Sequence, residues 1–231
     1  MRYMIHSAPS RQWYVDDFLI PSMIKQGINE KEIIVRCDTE GKGNLFSCMD
    51  SFLWCGQHTD NGTWHLQDDI VISHDFAEKT KTNNSGVVCG AVVKEWGPNW
   101  TKTGIQPAKE LWYSFQCIRI PDELAGECAT WFYTDASKRT DPKYYNRVAR
   151  KKHDDDFFQF FLLEKHPNLQ IYNLVPNIVD HIDYMIGGTL INQERSRQIN
   201  RTAYWKDENI IRELNERLYA YWHKKRSENS K

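Results

Sequence analysis

Short apolar runs alternate with amphipathic stretches through the first third of the chain, and this rhythm restricts the fold more than any other feature. MRYMIHSA reads as a strand, residues 11–26 as a helical region punctuated by Pro21, and Glu32 to Cys37 as a second strand. Residues 44–55 carry Leu45, Met49, Phe52 and Leu53 at helical spacing, and a third strand follows in Thr63-Trp64-His65-Leu66, running on to Gln67-Asp68-Asp69-Ile70-Val71-Ile72. Strands separated by helices predict an α/β fold with a mostly parallel central sheet covered on both faces. Such sheets take their ligands beyond the carboxyl ends of the strands.

The pattern then changes. Residues 86–120 hold β-rich segments (87–93 and 112–120) around a polar loop at 97–106, and Pro121 suits the first position of a helix whose first turn carries Asp122 and Glu123. A helix over 155–165, a strand over 170–175 and a last helix over 208–223 follow, the last with Ile211, Leu214, Leu218 and Trp222 on one face. No repeat or linker divides the chain, so one domain over 1–231 is expected, with 1–85 forming one half and 86–231 the other, which holds a smaller β-rich portion and ends in the C-terminal helix.

Lys and Arg number 30 against 31 Asp and Glu, a formal charge of -1, which excludes a wholesale polyelectrolyte binder. The apolar stretch at the N-terminus is too short for a signal-peptide core, and no window approaches a membrane span, so a soluble cytoplasmic protein is expected. Six cysteines form no CxxC and sit mostly in apolar runs, where a reduced thiol behaves as a small hydrophobe.

The segment richest in chemical implication is His65-Leu66-Gln67-Asp68-Asp69-Ile70, in which a strand expected to be buried runs into two adjacent carboxylates. Two bare charges at a buried strand end require a compensating cation. Oxygen donors select hard ions such as Mg²⁺ or Mn²⁺, which bridge phosphates. The structural alternative is that Asp68 and Asp69 cap a turn or face solvent.

The order strand, helix, strand ending at Asp38, helix, strand ending in QDDI resembles glycosyltransferases of the GT-A fold, a Rossmann-like three-layer αβα arrangement. The resemblance implies a nucleotide-sugar donor, with UDP-glucose as the default, and a Mn²⁺ or Mg²⁺ ion on Asp69, next to Asp68 and Gln67. It further implies that the loop Ser7, Ala8, Pro9 and Arg11 lies against the nucleoside, that Asp38 bonds the base or ribose, and that His181, in the phrase Pro-Asn-Ile-Val-Asp-His, completes the metal site. Asp154, Asp155 and Asp156 open an apolar helix, where carboxylates cap free amides. In similar enzymes an acidic motif here supplies the general base, which makes Asp155 the expected base of an inverting transfer and Asp154 its reserve.

Immediately before that motif, Lys138, Arg139, Lys143, Arg147, Arg150, Lys151 and Lys152 are interleaved with Tyr144 and Tyr145. The plain reading is a solvated face; the functional one is a polyanionic acceptor, with Tyr144 stacking on bases. Small GT-A proteins also resemble bacteriophage enzymes that glycosylate hydroxymethylated bases in DNA, which would place such an enzyme in the host cytoplasm and require base extrusion. Trp96 and Trp100, in a Gly-Pro turn region, are expected contacts for donor sugar and acceptor respectively. No obligate protein partner is expected. The rival readings are a metal-dependent phosphoesterase built on Asp68, Asp69, Asp155 and His181, and a non-enzymatic nucleic-acid-binding module using the basic segment.

Overall fold

A computed structural model describes residues 1–81, 85–92, 101–108, 115–136, 153–186 and 207–228. Nine strands are described: β1 Arg2–Ser7, β2 Ile33–Cys37, β3 Thr63–Gln67, β4 Ile70–Ile72, β5 Val87–Cys89, β6 Gly104–Pro107, β7 Cys117–Ile120, β8 Ile171–Val175 and β9 Val179–His181. The main helices are α1 Gln12–Tyr14, α2 Ile20–Lys25, α3 Asn44–Gln57, α4 Phe76–Thr80, α5 Asp122–Thr134, α6 Asp154–Lys165 and α7 Glu208–Glu228.

Seven strands form one sheet in the order β2-β1-β3-β7-β5-β8-β6. The first three are mutually parallel, β7 runs against both β3 and β5, and β8 lies parallel to β5 with β6 antiparallel at the edge. The sheet is therefore mostly parallel in direction, as the alternation of strands and helices predicts. Strands that point apolar residues both ways need cover on both faces. One face packs Met4, Cys89 and Ile118 against Phe52 of α3, Phe132 of α5 and Phe157 and Phe158 of α6. The other packs Ile5, Trp64 and Leu66 against Tyr14, Phe18, Phe76 of α4, and Leu214 and Leu218 of α7. The result is a helix–sheet–helix layering.

Three local features position the site. The helical stretch after β1 begins as a 3-10 turn over Pro9–Arg11 and widens to a π turn over Val15–Leu19 just before α2. Pro21 explains the widening, because it has no N–H for the carbonyl one turn back and its ring crowds that carbonyl. Next, α3 and α5 cross at Gly56 and Gly126, where a Cβ on Gly56 would lie 2.6 Å from the Gly126 Cα. Gly126→Ala is thus expected to cost roughly 1–3 kcal/mol, read as a lower urea midpoint with unchanged slope; an unchanged midpoint would show that the helices separate freely.

The third feature corrects the sequence reading. Residues 63–72 do not form one strand: β3 stops at Gln67, Asp68 and Asp69 make a turn, and β4 leaves for a separate two-stranded sheet with β9. Two adjacent carboxylates break the ladder because each would have to sit on an opposite, apolar face of a buried strand. The stretch expected to loop over 97–106 also supplies the edge strand β6, and β5 and β7 are shorter than 87–93 and 112–120. No helix among the described residues is long and apolar enough to cross a membrane.

Candidate functional site

β1 and β3 are parallel neighbours with His6 opposite Gln67, so their carboxyl ends coincide. The chain leaving β1 therefore crosses the Asp68-Asp69 turn. The Ala8 amide donates to Asp68 Oδ2 at 2.8 Å, and Arg11 Nη1 donates to Asp68 Oδ1 at 3.0 Å and to Asp69 Oδ2 at 2.5 Å. Pairing of β4 with β9 sets Ile70 opposite His181, and the Ile182 amide donates to the Asp69 carbonyl at 2.8 Å. This ladder carries His181 Nε2 to within 3.1 Å of Asp69 Oδ2. Asp69 and His181, more than a hundred residues apart in sequence, thus meet at the end of the central sheet.

Arg11, Asp68 and Asp69 are buried, at 4%, 5% and 8% exposure. Burial works to raise the Asp69 carboxyl, but His181 and Arg11 outweigh it and hold it at about 2. Asp68 is raised, by burial and then by the charge of Asp69, against the pull of Arg11. For His181, burial opposes protonation, yet Asp69 and then Asp183 prevail and raise it. Two polar atoms at this junction, Asp69 Oδ1 and His181 Nδ1, are buried without a hydrogen-bond partner among the described residues.

The linkage has a definite sign. His181, raised in the fold, contributes stability that is complete below its ordinary value of 6.5 and is lost as pH rises through the folded value. Asp69, lowered, contributes above its ordinary 3.8 and loses that contribution as pH falls toward about 2. Wild type is thus expected to exceed His181→Asn in stability most between about pH 4 and 6.5, with the gap shrinking at pH 9. Urea midpoints of the two proteins across that range check it, and a gap that widens at alkaline pH would contradict the pairing.

The acids that open α6 have contacts of their own. Asp154 is buried and accepts from Asn44 Nδ2 at 2.7 Å, at the start of α3. Burial, then the charge of Asp155, lifts its carboxyl to about 8. Asp155 is half-buried, accepts from the Asp156 amide at 2.8 Å, and is also raised by burial. Among the described residues no hydrogen bond or ion pair joins Asp154 or Asp155 to Asp69 or His181. An acid raised in the fold destabilises it once the unfolded chain ionises, so Asp154→Asn should be more stable than wild type at pH 7 and equal to it near pH 3. A thermal melt at both pH values tests this, and equal midpoints at pH 7 would refute it.

Asp38 fills a turn. Its two carboxylate oxygens accept from the amides of Lys42 at 2.8 Å and Gly43 at 2.7 Å, and its own amide donates to the Ser7 carbonyl at 2.9 Å. Gly43 has a φ of 85°, which suits glycine in the turn that starts α3. Asp38 also lines a cavity of 160 Å³ with Arg36, Lys42, Ser47 and Asp50, beside the end of β2. A larger cavity of 540 Å³, between the N-terminal helices, β4 and α7, has none of the predicted site residues in its described lining.

The sequence-predicted residues thus divide. Ala8, Arg11, Asp68, Asp69 and His181 converge, and Ser7 and Gln67 flank them on β1 and β3. Asp38, Asn44 and Asp154 form a second group at the start of α3. Trp96, Trp100, Lys138, Arg139, Tyr144, Arg147 and Arg150 lie outside the described residues. Sequence reasoning missed Asn44, although an Asn directly after Gly-Lys-Gly is a helix-start signal. It also missed Asp183, which no sequence signal marks.

Among the described residues no three His, Cys, Asp or Glu side chains cluster as a self-sufficient metal cage. The orphaned Asp69 Oδ1 and the imidazole beside it nonetheless fit a hard divalent ion that keeps waters and takes its other ligands from a bound phosphate. No protein-family model matches the chain, and no curated protein matches it either.

Proposed function

We propose that the protein is a metal-dependent glycosyltransferase of GT-A type that moves a sugar from a nucleotide-sugar donor, UDP-glucose by default, to an acceptor hydroxyl. One observation carries the reading: an acid pair at the carboxyl end of a central parallel strand, with an incoming histidine 3.1 Å from the second acid and one buried carboxylate oxygen left open. The small β4–β9 sheet and the reversed strand β7 support it, since both adjoin β3 and the acid turn that follows it, at a sheet end where α/β folds bind ligands.

When bound, a Mn²⁺ or Mg²⁺ ion held by Asp69 and His181 would neutralise charge on the departing nucleoside diphosphate. The chain's own groups do the rest. Ser7, Ala8 and Pro9, at the end of β1, and the cavity beside Asp38 receive the nucleoside, and Asp68 fixes the β1 loop through the Ala8 amide. Asp155 is the group to accept the acceptor's proton, giving inversion at the anomeric carbon. Asp154 suits that work less, because with its carboxyl near 8 it holds a proton at neutral pH.

The basic segment from Lys138 to Lys152 supports a polyanionic acceptor, and a hydroxymethylated base in DNA, as in bacteriophage systems, is the acceptor to test first. The two-cation phosphoesterase gains no support, since Asp68 is committed to Arg11 and Ala8. Radiolabelled nucleotide sugars with Mn²⁺ and hydroxymethylcytosine DNA provide the test. Label appearing in modified but not unmodified DNA bears out the acceptor; no transfer to any DNA or free sugar acceptor across the donor panel defeats the function.

A further inference from the structure

We propose that Arg11 is the resident counter-ion of the acid pair and excludes a divalent cation that arrives alone, so that cation and donor diphosphate enter together. The inference rests on the transferase reading of this site and goes beyond it by assigning a binding order. One guanidinium nitrogen donates to both Asp68 and Asp69, and all three residues are more than nine-tenths buried. Two adjacent buried carboxylates cannot persist without positive charge. Here the chain supplies that charge itself, from a turn that Pro9 begins directly after β1.

The geometry leaves a specific remainder. Asp68 has one oxygen on Arg11 and the other on the Ala8 amide, and Asp69 Oδ2 is shared by Arg11 and His181. Asp69 Oδ1 is the oxygen left open, buried and without a partner among the described residues. A dication approaching that oxygen meets a fixed guanidinium on the same carboxylate, with too little negative charge left to offset both. A diphosphate brings the missing charge, so each ligand strengthens the other's binding, and by linkage equally in both directions.

The experiment is a Mn²⁺ titration followed by the electron paramagnetic resonance signal of free ion, on the 231-residue wild-type chain and Arg11→Gln, each with and without UDP. Glutamine removes the charge but keeps a hydrogen-bond donor. Arg11→Gln is expected to bind Mn²⁺ alone at least roughly tenfold tighter than wild type, and Asp69→Asn added to it should erase the gain. UDP should tighten Mn²⁺ on wild type and change little on the variant. Equal Mn²⁺ affinities for the two proteins without UDP would overturn the counter-ion role while leaving the transferase reading intact. Tighter Mn²⁺ on the variant with no UDP binding to either protein would uphold the counter-ion and count against the transferase. Should Arg11→Gln not fold, wild type decides: a dissociation constant for Mn²⁺ alone tighter than about 10 μM overturns the proposal, and a weaker one supports it.

Discussion

Asp69→Asn is expected to lower sugar transfer by about a hundredfold or more while leaving the fold intact. In the proposed reading the open oxygen of Asp69 is the carboxylate donor for the cation, and a cation's neutralisation of leaving-group charge is worth several kcal/mol, where each 1.4 kcal/mol is tenfold in rate. Asparagine keeps the shape and one oxygen, so Arg11 retains Asp68 and the backbone ladder from β4 to β9 is untouched. The loss should therefore appear in kcat/KM and in Mn²⁺ dependence, with far-ultraviolet circular dichroism unchanged. Transfer at more than a tenth of the wild-type rate would remove Asp69 from the metal site.

At the opposite end of the same strands, Asp122→Ala is expected to do the reverse. Asp122 is fully buried and receives the Arg2 guanidinium, the Asp60 amide at 2.8 Å and the Thr63 hydroxyl at 2.7 Å. Arg2 and Thr63 begin β1 and β3, and Asp122 begins α5, so one carboxylate ties the amino ends of two central strands to the helix that covers them. Alanine leaves a largely buried guanidinium, a hydroxyl and an amide without their acceptor. Breaking such a pair costs about 3–5 kcal/mol, or roughly 6–20 °C in midpoint for a chain of this size. Transfer measured well below the new midpoint should survive, because the acid pair lies at the far end of β3. A midpoint within a degree or two of wild type would show that water replaces the carboxylate at little cost.

The alternation of strands and helices was legible because its cause is local. Apolar residues at period two or three to four mark β1, β2 and α3 whatever the rest of the chain does, and Pro121 announces α5. What was not legible depends on pairing. Nothing in Ile70-Val71-Ile72 says that these residues leave the central sheet, since an apolar triplet suits either sheet; the departure follows from the acids before it and the β9 partner after it. Edge strand β6 hides in a polar loop because its burial alternates with exposure and it ends in a proline tolerated at an edge.

The site was half legible for the same reason. Asp68 and Asp69 stand out because two charges contradict their apolar surroundings, and the contradiction is visible in sequence. Arg11, expected against a nucleoside, sits on those acids instead, a consequence of β1 and β3 being neighbours in register. Asp38 shows the opposite outcome: the capping reading describes its observed bonds to Lys42 and Gly43, and its place beside a cavity leaves room for the nucleoside role as well.

The central claim is that Asp69 and His181 hold a cation that in turn holds a nucleoside diphosphate. Calorimetric titration of UDP-glucose and related nucleotide sugars into the protein tests it most directly. Saturable binding in Mn²⁺ that vanishes with chelator and in Asp69→Asn is the predicted result; binding of equal strength with chelator, or none across the panel, would contradict it.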